Sequence, residues 1–162
     1  MARASFAILL ALTVLLQATF FPALGMLTIL PDFALVLLLM WSASRGITEG
    51  AIWALGLGLW LDFLTLDPLG THTLSLLAVA AIGGFAGQRL FRSGVVLPIV
   101  IVVLTTFASG LIAAVVARFG GDAVSSVATM RPIVATAFLN AVLVSVGWFV
   151  LLVIDRWIPR HV

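Results

Sequence analysis

The chain has no cysteine, no lysine and no tyrosine, and only 9% of its 162 residues are charged. Each shortage removes a class of explanation. Without cysteine there is no disulfide, thiolate nucleophile or thiolate metal site, and cysteine usage says nothing about the redox compartment. A soluble domain carries about 25% charged residues, so this chain lacks the charge to cover a water-facing surface. Catalytic patterns are also missing: there is no Walker loop, no HExxH, no GxSxG and no Cys-His pair. Asp62 and Asp67 form an acid pair, but no base or metal partner joins them. The sequence therefore predicts neither an enzyme nor a bound cofactor or metal.

What is present is apolar. Hydrophobic residues make up 64% of the chain, and the mean hydropathy is +1.32. This composition predicts an all-α integral membrane protein, since only helices and closed barrels satisfy their backbone within lipid. No loop is long enough to fold as a soluble unit, so residues 1–162 read as one polytopic membrane domain. Eight arginines against six acids set a net charge of +2. On so apolar a chain that excess reads as membrane topology rather than nucleic-acid binding.

Six transmembrane helices are expected, over Ser5–Phe21, Phe33–Ser44, Glu49–Leu64, Thr71–Leu90, Val95–Arg118 and Pro132–Ile154. The N-terminus has the outline of a signal peptide, with Ala23-Leu24-Gly25 as a faint cleavage-like site. The strongly apolar remainder favours an uncleaved first helix. The second span is unusual. Pro31-Asp32 interrupts its apolar run, because proline disfavours helix in the residue before it and aspartate is a good N-cap. Beginning at Phe33, this helix is roughly 18 Å long, too short to cross alone. Leu24–Leu30 must then lie at the interface or dip into the protein, where neighbouring groups cover the broken backbone.

Arg3, Arg45, Arg89, Arg92, Arg156 and Arg160 fall on one side of this topology, and Arg118 and Arg131 on the other, six against two. The positive-inside rule then places both termini in the cytoplasm. Trp41 and Trp157 sit near cytoplasmic helix ends as interfacial anchors. Arg45 and Glu49 can pair at i,i+4, or Glu49 can favour the start of the third helix.

Small residues recur at spacings of four: Gly50, Ala54 and Gly58 in the third helix, with Asp62 continuing that face. Gly46 and Gly50 add a step, as do Gly83 and Gly87, Ser109, Ala113 and Ala117, and Ala137, Ala141 and Ser145. In lipid, such residues let helices approach closely. They serve either a compact single-chain bundle or a groove for another chain's helix. Gln17, Asp32, Asp62, His72 and Asn140 fall in the outer parts of their helices. They form either an outward polar pocket or a set of helix caps and headgroup contacts, with Asp32 and Thr71 as natural N-caps. One histidine with separated carboxylates has no metal-ligand spacing.

Pro31-Asp32, Arg45-Gly46, Glu49-Gly50, the Gly56/Gly58 helix, Leu61-Asp62 and Asp67-Pro68-Leu69-Gly70 occur in that order. This set resembles the signature of the rod shape-determining protein MreD family, and covers Pro31–Thr73. The resemblance implies a multi-pass protein of the bacterial inner (plasma) membrane that acts in the elongation (Rod) complex. It implies a scaffold or regulatory subunit controlling cell shape and lateral peptidoglycan synthesis. Implied partners are the bitopic protein MreC, and with it RodA, a penicillin-binding protein and MreB. The implied fold is similar to the six-helix substrate-binding subunit, or S-component, of energy-coupling-factor (ECF) vitamin importers. An alternative reading is such an importer subunit, with the polar cluster as its binding site. A small secondary transporter is a third reading, resting on Asp62 alone.

Overall fold

In the computed structural model, residues 2–20, 31–65, 68–87, 89, 94–119 and 126–157 are described. Among these residues the chain is entirely helical, without strands. Helix α1 spans Ala2–Leu15 and ends in a π-helical turn over Leu16–Phe20. It is followed by α2 (Phe33–Arg45), α3 (Ile47–Thr65), α4 (Thr71–Ala86), α5 (Val96–Phe119) and α6 (Ser126–Trp157). Helix α3 and the stretch Val96–Val116 of α5 are long and apolar enough to cross a membrane. Shorter apolar stretches are Arg3–Leu15 of α1, Phe33–Arg45, Thr71–Ala86 and Pro132–Gly147 within α6.

The chain folds around α4, which packs against α3, α2 and α5, while α6 packs mainly on α5 and α1 leans on α2 and α3. The interior is built from Leu10 and Val14 of α1, Leu35, Leu38 and Leu39 of α2, Ala54 and Leu57 of α3, and Leu76, Val79 and Ala80 of α4. Large apolar side chains also cover the outside, among them Ile8, Ile52, Phe63, Leu104, Leu111, Phe138 and Phe149. Such a coat is unstable in water and natural in lipid.

The connection between α2 and α3 is one residue. Gly46 adopts φ +95°, donates its N–H to Ser42 O at 2.8 Å and accepts from Gly50 N at 3.1 Å. A side chain at that φ is strained, so Arg45-Gly46 encodes the turn. Gly46 has open space around it, so the Gly46–Gly50 step is a turn followed by a contact rather than a packing face. Helix α4 likewise begins after Gly70, which sits at φ +102°.

Most helix boundaries fall within two residues of expectation; the departures are in α1, in α4 and at both ends of α6, which runs to Trp157 rather than Ile154. Helix α1 begins at Ala2, three residues earlier than expected. Helix α4 ends at Ala86 rather than Leu90, because Gly87 turns to φ +51° and closes the helix through its N–H to Gly83 O. Helix α6 starts at Ser126 and carries Pro132 inside it. Past the first turn a proline removes one backbone bond and crowds the carbonyl four residues back, and helices in lipid tolerate this where neighbouring groups satisfy the freed carbonyl. Leu24–Leu30, Asp67, Arg92 and Asp122, and the side chains of Arg131 and Trp157, lie outside the described residues.

Candidate functional site

The polar residues form two hydrogen-bonded networks. The first surrounds the non-helical break at Pro31-Asp32, ahead of α2. The Asp32 carboxylate accepts from Leu35 N at 2.9 Å, capping the helix as its sequence predicts. The Gln17 amide, on the π-turn after α1, bridges the break. Its Nε2 donates to Pro31 O at 3.1 Å, and its Oε1 accepts from Ala34 N at 3.1 Å. Asn140, fully buried on α6, accepts from Asp32 N at 2.6 Å and donates to Thr106 Oγ1 at 3.0 Å. The Thr106 hydroxyl donates in turn to Val102 O at 2.8 Å. Four elements thus meet at Pro31-Asp32, and each donor in the chain of bonds has its acceptor. Non-helical backbone at membrane depth needs such protein partners.

The second network is centred on Asp62, which is 1% exposed. Its Oδ2 accepts from Gly70 N at 2.8 Å, Thr73 Oγ1 at 2.8 Å and Thr73 N at 3.4 Å, and its Oδ1 accepts from His72 N at 2.7 Å. A carboxylate at the end of α3 therefore caps the start of α4, where the dipole favours negative charge and backbone N–H groups lack partners. Gly70 occupies the cap position and brings no side chain to it. Thr71, read from the sequence as an N-cap, stands one residue inside the helix. Its hydroxyl donates to Pro68 O at 2.7 Å instead. Leu61-Asp62 and Pro68-Leu69-Gly70 are thus two halves of one corner. The His72 ring is half-buried, and both networks stand where α1 and α3 end and α2 and α4 begin, at one end of the bundle.

The Gly50, Ala54 and Gly58 face is occupied within the chain. A Cβ on Gly58 would stand 2.3 Å from Thr73 Cα, and one on Gly50 would stand 2.0 Å from Ser42 Oγ. Ala54 is fully buried. Helices α2 and α4 fill the surface that would otherwise receive a partner's helix. Gly83 belongs to the same crossing, since its Cβ would meet Leu39 O at 2.7 Å. Gly87 serves as the terminator of α4.

At the opposite end, Glu49 stands in the first turn of α3, one of the two places the sequence allowed it, and bonds Arg3 of α1 in place of the alternative i,i+4 partner Arg45. The Arg3 Nε–Glu49 Oε1 and Nη2–Oε2 distances are 3.1 and 3.2 Å. Arg45 lies over the Trp41 ring at 5.3 Å. Trp41 stacks on Phe6 at 3.8 Å, and Phe6 meets the edge of Trp53 at 5.6 Å. An i,i+4 pair needs one continuous helix, but the turn at Gly46 leaves Arg45 on α2 and Glu49 on α3, and α1 supplies the partner instead.

Thr73, Thr106 and Phe6 are contributors that sequence reading missed. Threonine in an apolar helix commonly bonds its own backbone, so its pattern does not mark a cross-helix acceptor. Among the described residues no group of three His, Cys, Asp or Glu could hold a metal ion.

A lipid-facing apolar coat, helices long enough to cross, and polar groups spent on helix ends define a helical membrane protein. The family model for rod shape-determining protein MreD matches residues 2–155. The chain belongs to the MreD family, and its role is in rod shape determination. No curated protein matches the chain, and no solved structure matches it.

Proposed function

We propose that this chain is a non-catalytic, multi-pass scaffold of the bacterial inner membrane. It crosses six times with both termini in the cytoplasm and has an architecture like that of the ECF S-component. It holds an MreC-like bitopic protein within the elongation complex, in company with RodA, a penicillin-binding protein and MreB. The family match over residues 2–155 carries the reading. Further support comes from the two buried networks, whose carboxylates are engaged in capping helices. The small-residue face of α3 is filled from within, so the partner's helix docks on an outward face. Helix α5, the less buried of the two crossing candidates, offers Leu104 and Leu111 there.

The test is affinity capture of the tagged full chain from cells of its own source, in mild detergent, with mass spectrometry of the recovered proteins. An MreC-like bitopic protein with cell-wall synthases is the expected result. Recovery of an energy-coupling ATPase module in their place refutes the scaffold and restores the importer subunit.

A further inference from the structure

The end of the bundle opposite the two networks carries a cavity of about 460 Å³ lined by Arg3, Arg45, Thr48, Glu49, Ile52 and Trp53. Two guanidinium groups face one carboxylate there. Arg3 is tied to Glu49, with its side chain still 75% exposed. Arg45 is held over Trp41 and forms no ion pair among the described residues. Thr48 adds an exposed hydroxyl in the first turn of α3. The cavity therefore has a net positive charge, hydroxyl and guanidinium donors, and an aromatic wall.

Below it the surface changes character. Ile52, Leu55, Leu59 and Phe63 follow one another down α3 at helical spacing, and all are exposed. Among them Gly56 leaves open space where a Cβ would stand. A cationic cavity above an apolar furrow matches one kind of molecule in a bilayer. A free phosphate would use the cavity and leave the furrow, and an uncharged lipid would use the furrow and leave the cations.

We infer that the Arg3/Arg45/Thr48 cavity binds the phosphodiester headgroup of an anionic phospholipid, with an acyl chain lying along Ile52, Gly56, Leu59 and Phe63. Arg45 supplies the free charge, Arg3 shares its own between Glu49 and the phosphate, and Thr48 donates from its hydroxyl. The site needs no protein partner, so its success or failure is independent of the scaffold assignment.

The test uses the purified full chain in an uncharged detergent. Melting is followed by tryptophan fluorescence during titration with phosphatidylglycerol, phosphatidylcholine or glycerol phosphate. Phosphatidylglycerol is expected to raise the melting temperature, with the other two inert at the same concentrations. Arg45→Gln is expected to weaken the lipid's apparent affinity about fivefold, the effect of one basic residue at a membrane surface. Thr48→Asp guards against misfolding as an explanation. An acid in the first turn suits the helix dipole and keeps the fold, but it repels the phosphate, so the lipid preference is lost. Equal effects of the two phospholipids overturn the proposal, as does wild-type affinity in Thr48→Asp. An equal effect of glycerol phosphate overturns the lipid assignment, since the furrow would then contribute nothing.

Discussion

Two glycines separated by one residue on α3 are expected to respond to alanine in opposite ways. A Cβ at position 58 falls 2.3 Å from Thr73 Cα, 2.8 Å from Thr73 N and 2.9 Å from Thr73 Oγ1. Carbon atoms in contact normally stand about 3.5–4.0 Å apart, so α3 and α4 must separate by more than about 1 Å. The obstacle is backbone, which has no rotamer to escape into. Thr73 is also where Asp62 binds α4, so separation stretches the capping bonds at 2.8 and 3.4 Å. Overpacking costs about 1–3 kcal/mol and a weakened bond to a charged group about 1.5–3, while alanine's better helix propensity returns about 1, for a net loss of about 1.5–5 kcal/mol. At about 2–4 °C per kcal/mol for a chain of this size, Gly58→Ala should melt about 3–20 °C below the parent. At Gly56 nothing lies within 4 Å of the added Cβ. Gly56→Ala should therefore gain about 0.5–1 kcal/mol from propensity alone. Tryptophan-fluorescence melting in one detergent measures both. A parental melting temperature for Gly58→Ala, or an equal fall for both variants, refutes the packing of α3 on α4.

Other substitutions probe the polar networks. Asp62→Asn keeps the shape but leaves one acceptor oxygen where two serve four donors, and should lower stability by about 2 kcal/mol or more in the same melting assay. Asn140→Ala removes the acceptor of Asp32 N and the donor to Thr106, and should cost about 1–3 kcal/mol. Thr106→Val should cost less, because the Asp32–Asn140 bond survives; a double variant no worse than Asn140→Ala would show that the two residues act through one chain of bonds. Gly70→Ala has room, with Leu74 Cδ1 at 3.8 Å, but must hold φ +102°. It should lose about 1–2 kcal/mol through the backbone, and an unchanged melting temperature would show that the α3–α4 corner relaxes without cost.

The parts of this fold that the sequence displays are those governed by local chemistry. Pro31-Asp32 announces the start of α2, since proline and an N-capping aspartate act on adjacent residues. The bounds of α5 follow from a long apolar run with no charged residue before Arg118. Elsewhere the deciding partner is distant in sequence. Glu49 has Arg45 four residues before it, but the structure gives it Arg3, brought alongside by the Phe6–Trp41 stack. Thr71 has the chemistry of a cap, yet Asp62 reaches the N–H groups first through a corner that ends at Gly70. The stripe Gly50-Ala54-Gly58 is plainly a surface for close approach. Whether the approaching helix belongs to the same chain depends on the turn at Gly46 and the corner at Gly70, which fold α2 and α4 back onto α3.

This has a consequence for the family signature. Between Pro31 and Thr73, Asp32 caps α2, Gly46 makes the turn, Gly50 and Gly58 admit neighbouring helices, and Asp62 with Gly70 builds the start of α4. Lipid supplies little hydrophobic drive for helices to associate, so close contacts and satisfied polar groups must hold the bundle together. The signature is thus largely the means by which α2, α3 and α4 fold onto one another. A variant within it that abolishes shape determination reports first on folding and only indirectly on partner contact. Mapping the partner surface calls for substitutions at outward residues such as Leu104 and Leu111, where the side chain leaves the interior untouched. Loss of capture there, with an unchanged melting temperature, identifies an interface, and the same loss at Gly58 does not.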